Sequence, residues 1–173
     1  MKVTRVVTGF LKENCYVVED QDKVLVIDPG DDFELIDEKL RDKKVLKVLI
    51  THHHFDHVGA LDELIDKYHV DIIDFNSEKK QVIDNFKFEI ILTPGHTNDS
   101  VTFYFYDDNI MFTGDFIFKD TIGRTDLPTG NEIDMFKSLK SIKDYSGDIK
   151  IYPGHGEETT LKEEFNNNMY FNI

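Results

Sequence analysis

Apolar positions recur along this chain with two different periods. The stretches Val3 to Thr8, Cys15 to Val18, Val24 to Ile27 and Val45 to Ile50 alternate or run apolar over short lengths, which predicts strands. Further strand-like runs stand later, at Phe88 to Leu92, Ile110 to Phe112 and Ile149 to Tyr152. Between them the period changes. Phe33, Ile36 and Leu40 share one face of a helix, as do Leu61, Leu64, Ile65 and Tyr68, and again Ile133, Phe136, Leu139 and Ile142. A last short helix is predicted from Thr160, where Glu163 three residues on completes a capping box. Strands and helices alternate, yet β runs also follow one another directly. Two mixed sheets with helices outside fit this order better than a doubly wound sheet.

The chemistry sits where the strand-like runs end. Thr51-His52-His53-His54-Phe55-Asp56-His57, an HxHxDH string, follows the run that ends at Ile50. Gly95-His96, Gly114-Asp115 and Gly154-His155 each follow another such run, and the glycines let the chain turn sharply there. His52 and His54 are two residues apart, so on an extended segment both imidazoles point to one side, and Asp56 and His57 reach a neighbouring position as the chain turns. Imidazole and carboxylate without thiolate suit zinc, iron or manganese. The expected arrangement is two divalent ions, zinc foremost. His52, His54 and His96 hold one, Asp56, His57 and His155 hold the other, and Asp115 bridges them at about 3.5–4 Å. Five of the seven histidines are thereby ligands. His53 sits between ligands with its side chain turned away, and His69 ends a helical stretch. Asp28, in Asp28-Pro29-Gly30, is read either as an acceptor that fixes the histidine loop or as a plain turn acid.

These motifs resemble the metallo-β-lactamase-fold hydrolases, and within them the small glyoxalase II-like enzymes. The resemblance runs from Glu13-Asn14-Cys15-Tyr16-Val17 through Val26-Ile27-Asp28-Pro29-Gly30 and the HxHxDH string. It continues through Ile122-Gly123-Arg124-Thr125-Asp126-Leu127-Pro128 to Tyr152-Pro153-Gly154-His155-Gly156 and Glu158-Thr159-Thr160. It implies a four-layer αββα sandwich of class α+β with the metals at one edge of the two sheets. It also implies hydrolysis of a small thioester, of the S-lactoylglutathione type, by a hydroxide shared between two ions and oriented by Asp56. In such enzymes the slot of Arg124 is similar to that of a basic residue contacting the thiol carrier, and pairing with Asp126 is the alternative for it. Asp115 stands where the commonest metallo-β-lactamases place Cys, which argues against antibiotic hydrolysis. Mono-iron persulfide dioxygenases share the HxHxDH string and a similar GRTD segment and are the alternative activity, with a lactonase third. The PGHG-ETT ending is more similar to the hydrolase branch.

Length and charge narrow the partners. The 173 residues fit one domain, 1–173, without the C-terminal helical domain with which full-length glyoxalase II enzymes help hold glutathione. Thirty-four acids against 20 bases give a net charge of −14, with no basic stripe, so nucleic acid is not expected as a partner. The alternating N-terminus is not a signal peptide and no run approaches a membrane span, so a cytoplasmic protein with no membrane partner is expected. Monomer and homodimer are both open. The single cysteine, Cys15, lies in an apolar run and is read as core packing.

Overall fold

The computed structural model describes residues 1–172. Its first sheet places β1 (Lys2–Thr8), β2 (Glu13–Asp20), β3 (Lys23–Ile27), β4 (Lys44–Leu49) and β5 (Ile72–Ile73) side by side in chain order. The first three strands are antiparallel, and β4 and β5 continue parallel to β3. Next come β6 (Lys80–Ile83), β7 (Phe86–Leu92), β8 (Val101–Phe105) and β9 (Ile110–Gly114), then a hairpin of β10 (Ile117–Phe118) and β11 (Thr121–Ile122), and finally β12 (Lys150–Pro153) and β13 (Thr159–Thr160). The second sheet has the order β13-β12-β9-β8-β7-β6, with β12 parallel to β9 and its other pairs antiparallel. Both sheets are mixed.

Strand alternation explains why the two sheets stack. On β2, Tyr16 and Val18 enter a core that also holds Phe88, Phe103, Phe105 and Phe112 of the second sheet, whereas Cys15 and Val17 point into a different core. Leu25 and Ile27 of β3 follow the first pair, and Val24 and Val26 the second. A strand buried on both faces must be apolar at successive positions, which is why these runs are nearly continuous rather than alternating with polar residues. The outer core of the first sheet is closed by α1 (Phe33–Leu40) and α3 (Leu61–Tyr68), which follows the single-turn α2 (Phe55–Val58). That of the second sheet is closed by α4 (Glu132–Ile142) and α5 (Leu161–Asn167). Three apolar layers between four layers of structure make the αββα sandwich. No helix among the described residues is long and apolar enough to cross a membrane.

Two local expectations come out differently from one another. Thr160 caps α5 with the full capping box, its hydroxyl accepting from the Glu163 N–H while Glu163 accepts from the Thr160 N–H. In α4 the stripe is displaced. Ile133 is 68% exposed, and the buried set is Met135, Ser138, Leu139 and Ile142. Asn131 caps the helix through the Asp134 N–H, so Ile133 falls on the outer side of the first turn and Met135, four residues before Leu139, takes the inward position.

The topology also delivers the ligands. β8 is antiparallel to both β7 and β9, and β12 is parallel to β9, so β7, β9 and β12 all end at the same edge. His96, Asp115 and His155 follow those three ends, and the HxHxDH string follows β4 of the facing sheet.

Candidate metal centre

The seven expected ligands come together at that edge in two groups linked through Asp115. His52, His54 and His96 converge in one, and Asp56, His57 and His155 in the other. Asp115 lies between them, with Oδ2 3.4 Å from His96 Nε2 and Oδ1 3.3 Å from His57 Nε2 and 3.7 Å from His155 Nε2. His155 Nε2 stands 3.3 Å from Asp56 Oδ2. In the first group His54 Nδ1 lies 3.1 Å from His52 Nε2 and 2.9 Å from His96 Nε2.

These spacings can be compared with what a metal requires. Ligand bonds of ~2.0–2.1 Å at the tetrahedral angle put neighbouring donor atoms about 3.3–3.4 Å apart. Three of the four carboxylate contacts match this, that of Asp115 with His155 is longer at 3.7 Å, and His54 is closer to His52 and His96 by a few tenths of an ångström. His57 Nε2 and Asp115 Oδ1 are buried and face each other without hydrogen-bonding geometry. Buried polar atoms without partners are uncommon, and a shared cation satisfies both at once. The residues therefore fit two divalent ions bound by nitrogen and oxygen.

The remaining ring nitrogens are held in the tautomers this requires. Asp28 is 2% exposed; its Oδ1 accepts from the Thr51 N–H at 2.7 Å, and its Oδ2 accepts from the Thr51 hydroxyl at 2.6 Å and from His57 Nδ1 at 3.0 Å. With its proton given to Asp28, the Thr51 oxygen accepts from His52 Nδ1, 3.1 Å away. The Arg124 carbonyl accepts from His96 Nδ1 at 2.7 Å. Protons on Nδ1 leave Nε2 of His52, His57 and His96 free to bind a metal, whereas His54 turns Nδ1 toward the group. Asp28 also takes φ of 48°, so the turn reading and the acceptor reading describe the same residue.

Charge follows the same geometry. Burial, then the imidazoles of His57 and His96, push His52 well below the usual histidine range, which favours the neutral form that metal binding requires. Burial opposes protonation of His57, but the carboxylates of Asp115 and Asp28 outweigh it and raise its pKa well above normal. Burial opposes ionisation of Asp115, yet His57, His155 and His96 hold it below the usual carboxylate range. The centre is thus a balanced set of charges that a pair of cations would reorder.

Three supporting residues lie outside the sequence-based expectation. Asn14 clasps the loop that carries His155: its N–H donates to the Gly154 carbonyl at 2.7 Å and its Nδ2 to those of Pro153 and Gly156 at 3.0 Å each. Glu13, 1% exposed, stands behind His57 at 3.8 Å, and Thr51 supplies the hydroxyl relay. Glu13 and Asn14 belong to the Glu-Asn-Cys-Tyr motif, and Thr51 immediately precedes the histidine string, which was the signal available. Gly154 is needed for space, because a Cβ there would lie 2.4 Å from Asp115 Oδ1 and 2.7 Å from His57 Cε1. As expected, His53 turns away, to Asp99 at 2.6 Å; His69 ends α3, capping it with its backbone N–H, which donates to the Ile65 carbonyl.

The ligands open onto a cavity of about 450 Å³, walled by Leu11, Phe55, Phe118, Leu127 and Arg124. Arg124 faces this space, but its guanidinium is held by Asp126 through two bonds of 2.7 Å. A larger hollow of about 670 Å³ lies between β7 and the end of α4, away from the ligands.

The metallo-beta-lactamase superfamily profile matches residues 8–84 and 70–155. A hydroxyacylglutathione hydrolase of Haemophilus influenzae is 31% identical over 96% of this chain and 95% of its own. Among solved structures, the BLEG-1 B3 metallo-beta-lactamase is 26% identical with a TM-score of 0.95, covering 99% of this chain and 100% of its own. TTHA1623, in a di-iron-bound form, is 29% identical with a TM-score of 0.86 over 96% and 98%. With its fold, its strand-end histidines and acids and this profile match, the chain belongs to the metallo-beta-lactamase superfamily, and it is a metal-dependent hydrolase of that superfamily with relatives of the glyoxalase II type.

Proposed function

We propose that this protein is a dinuclear thioester hydrolase of the cytoplasm, with His52, His54 and His96 holding one ion, Asp56, His57 and His155 the other, and Asp115 shared. The observation that carries the reading is the pair of complete ligand groups meeting at one carboxylate. A full second group favours a dinuclear site over the single iron of a persulfide dioxygenase. The hydroxyacylglutathione hydrolase relative supports thioesters as the substrate class, and zinc and iron both fit the donor set.

When bound, the two ions supply a hydroxide near neutral pH and a Lewis acid for the acyl oxygen. The chain's own residues do the rest. Asp56, facing the cavity, orients the attacking oxygen, and the buried carboxylates keep the histidine rings in ligand geometry. Leu11, Phe55, Phe118 and Leu127 limit water around the acyl group and so strengthen the electrostatics of the site. The new C–O bond replaces the C–S bond, and the sulfur leaves as a thiolate. Its conjugate acid has a pKa of about 8.5, so the reaction needs no dedicated general acid. The carboxylic acid so formed gives up its proton and the thiolate takes one up, through solvent, so the products are a carboxylate and a thiol.

The expected result with zinc- or iron-loaded protein is turnover of S-lactoylglutathione or another small thioester, equal under air and argon, with little action on penicillins. A thiol-release assay run beside penicillin hydrolysis checks this. Robust β-lactam turnover with thioesters untouched would move the assignment toward the BLEG-1 activity, and a requirement for oxygen would move it toward the dioxygenase.

A further inference from the structure

The space in front of the ligands does not end at the metal cavity. A second hollow of about 550 Å³ shares His54 and Leu127 with it and continues over Phe75, Pro128, Asn98 and Thr129. The two adjoin at His54 and Leu127, so an elongated ligand would run from one into the other past His54. The two ends of this trough differ. Beyond Leu11, on the far side of the ligands, Phe10 and Phe55 stack with centroids 6.4 Å apart, and the space behind them is only about 20 Å³. Beyond Phe75 the surface stays open into the 670 Å³ hollow, which Phe75 also lines.

Charge along the trough is as informative as shape. Among the described residues, Arg124 is the one Lys or Arg that lines either space, and Lys79, in the hollow beyond Phe75, is paired with Glu89 at 2.9 Å. A substrate carboxylate would have to displace Asp126 from Arg124, and the displaced charge would remain alongside. The acid of the second hollow, Asp99, is engaged by His53. Phe75, edge-on to His53 with centroids 6.1 Å apart, and the Leu127-Pro128 pair give an apolar floor, while the exposed Asn98 and Thr129 offer neutral hydrogen-bonding groups. A glutathione thiol carries two carboxylates against one ammonium, a net negative charge, and this protein is already strongly acidic.

We infer that the thiol half of the substrate is an extended, uncharged arm lying along Leu127, Pro128 and Phe75, with a short apolar acyl group at the other end against Leu11 and Phe55. The inference rests on the thioester reading and narrows it. A neutral arm carrying amides gains apolar burial and hydrogen bonds along the trough, whereas a dicarboxylate arm meets no free cation there.

The test uses one acyl group, butyryl, on three thiols: glutathione, pantetheine and N-acetylcysteamine, the last neutral but too short to reach Phe75. For the metal-loaded protein kcat/KM for the pantetheine thioester is expected to exceed that for the glutathione thioester at least tenfold. In Phe75→Ser the pantetheine to N-acetylcysteamine ratio should fall several-fold; a loss of fold would lower both and leave the ratio unchanged. Asn98→Lys, which places a cation in the trough, should raise the glutathione to pantetheine ratio at least threefold, a gain that misfolding cannot produce. Arg124→Ala should leave the glutathione to N-acetylcysteamine ratio within about twofold, with both rates reduced as the loop carrying the His96 acceptor loosens. Preference for glutathione, or a tenfold fall of that last ratio, overturns the inference and restores Arg124 as a carboxylate grip while the thioester reading stands. Cleavage of none of the three overturns the thioester reading and this inference with it.

Discussion

Replacing Asp115 with Ala is expected to weaken metal binding at both positions together, by more than about 100-fold each. Removing a group that merely orients a ligand already costs 10–100-fold, and this carboxylate faces both groups directly. Its two oxygens are divided between them: Oδ2 toward His96, Oδ1 toward His57 and His155. His155→Ala provides the contrast. It removes a ligand from one group only and should empty mainly the position of Asp56 and His57, leaving the trio of His52, His54 and His96 able to hold an ion. Metal content after dialysis and calorimetric titration separate these outcomes without relying on turnover. A melting curve gives a second readout, since an ion at 100 times its Kd stabilises the fold by about 2.7 kcal/mol, and Asp115→Ala should lose that shift. Two ions bound to Asp115→Ala with unchanged affinity would disprove the bridge.

How much of this was legible beforehand follows from the range of the interactions. Tyr16 and Cys15 face opposite cores because of strand alternation, and Thr160 caps α5 through residues three positions away; such local rules can be read along the chain. The convergence of the seven candidate ligands was legible for a different reason. A metal demands an uncommon set of side chains, and each one stands at the end of an apolar run. The register of α4 was not legible, because Ile133 and Met135 are both apolar and only the docked helix, fixed by the Asn131 cap, decides which turns inward. Short strands such as β5 and β6 exist because neighbours pair with them, Ile73 with Leu49 and Gln81 with Phe88, rather than through their own propensity.

The supporting residues were the least legible, since their partners are distant in sequence. Asn14 bonds a carbonyl 139 residues away, and Thr51 and Asp28 are 23 apart. A polar residue within an apolar strand signals a buried partner but does not say which one. The same holds for the guanidinium of Arg124. Sequence offered it both Asp126 and a substrate, and the loop brings Asp126 within two short bonds.

Asp28→Asn should separate ligand orientation from folding most sharply. The substitution is nearly isosteric, but it replaces an oxygen that accepts from Thr51 and His57 by an amide, and either orientation of that amide conflicts with a neighbour. If the NH₂ takes the place of Oδ2, it donates toward His57 Nδ1, moves that ring's proton to Nε2 and so blocks the atom facing Asp115. The Thr51 hydroxyl, no longer able to donate to residue 28, would turn its proton toward His52 Nδ1 and drive the same change there. If instead the carbonyl stays at Oδ2, the NH₂ opposes the Thr51 N–H, now 2.7 Å from Oδ1, and a buried donor loses its acceptor. That second arrangement costs about 1–3 kcal/mol of stability, and the first costs metal affinity. The expected outcome is a protein that still folds, with a moderately lower melting temperature and metal affinity reduced about 10–100-fold, and with turnover recovering as metal concentration rises. Asp28→Ala, which leaves three donors without an acceptor in a buried site, should melt earlier still. Unchanged metal affinity in Asp28→Asn, with only the melting temperature altered, would reduce Asp28 to a turn residue and leave the tautomers of His52 and His57 to be fixed by the ions themselves.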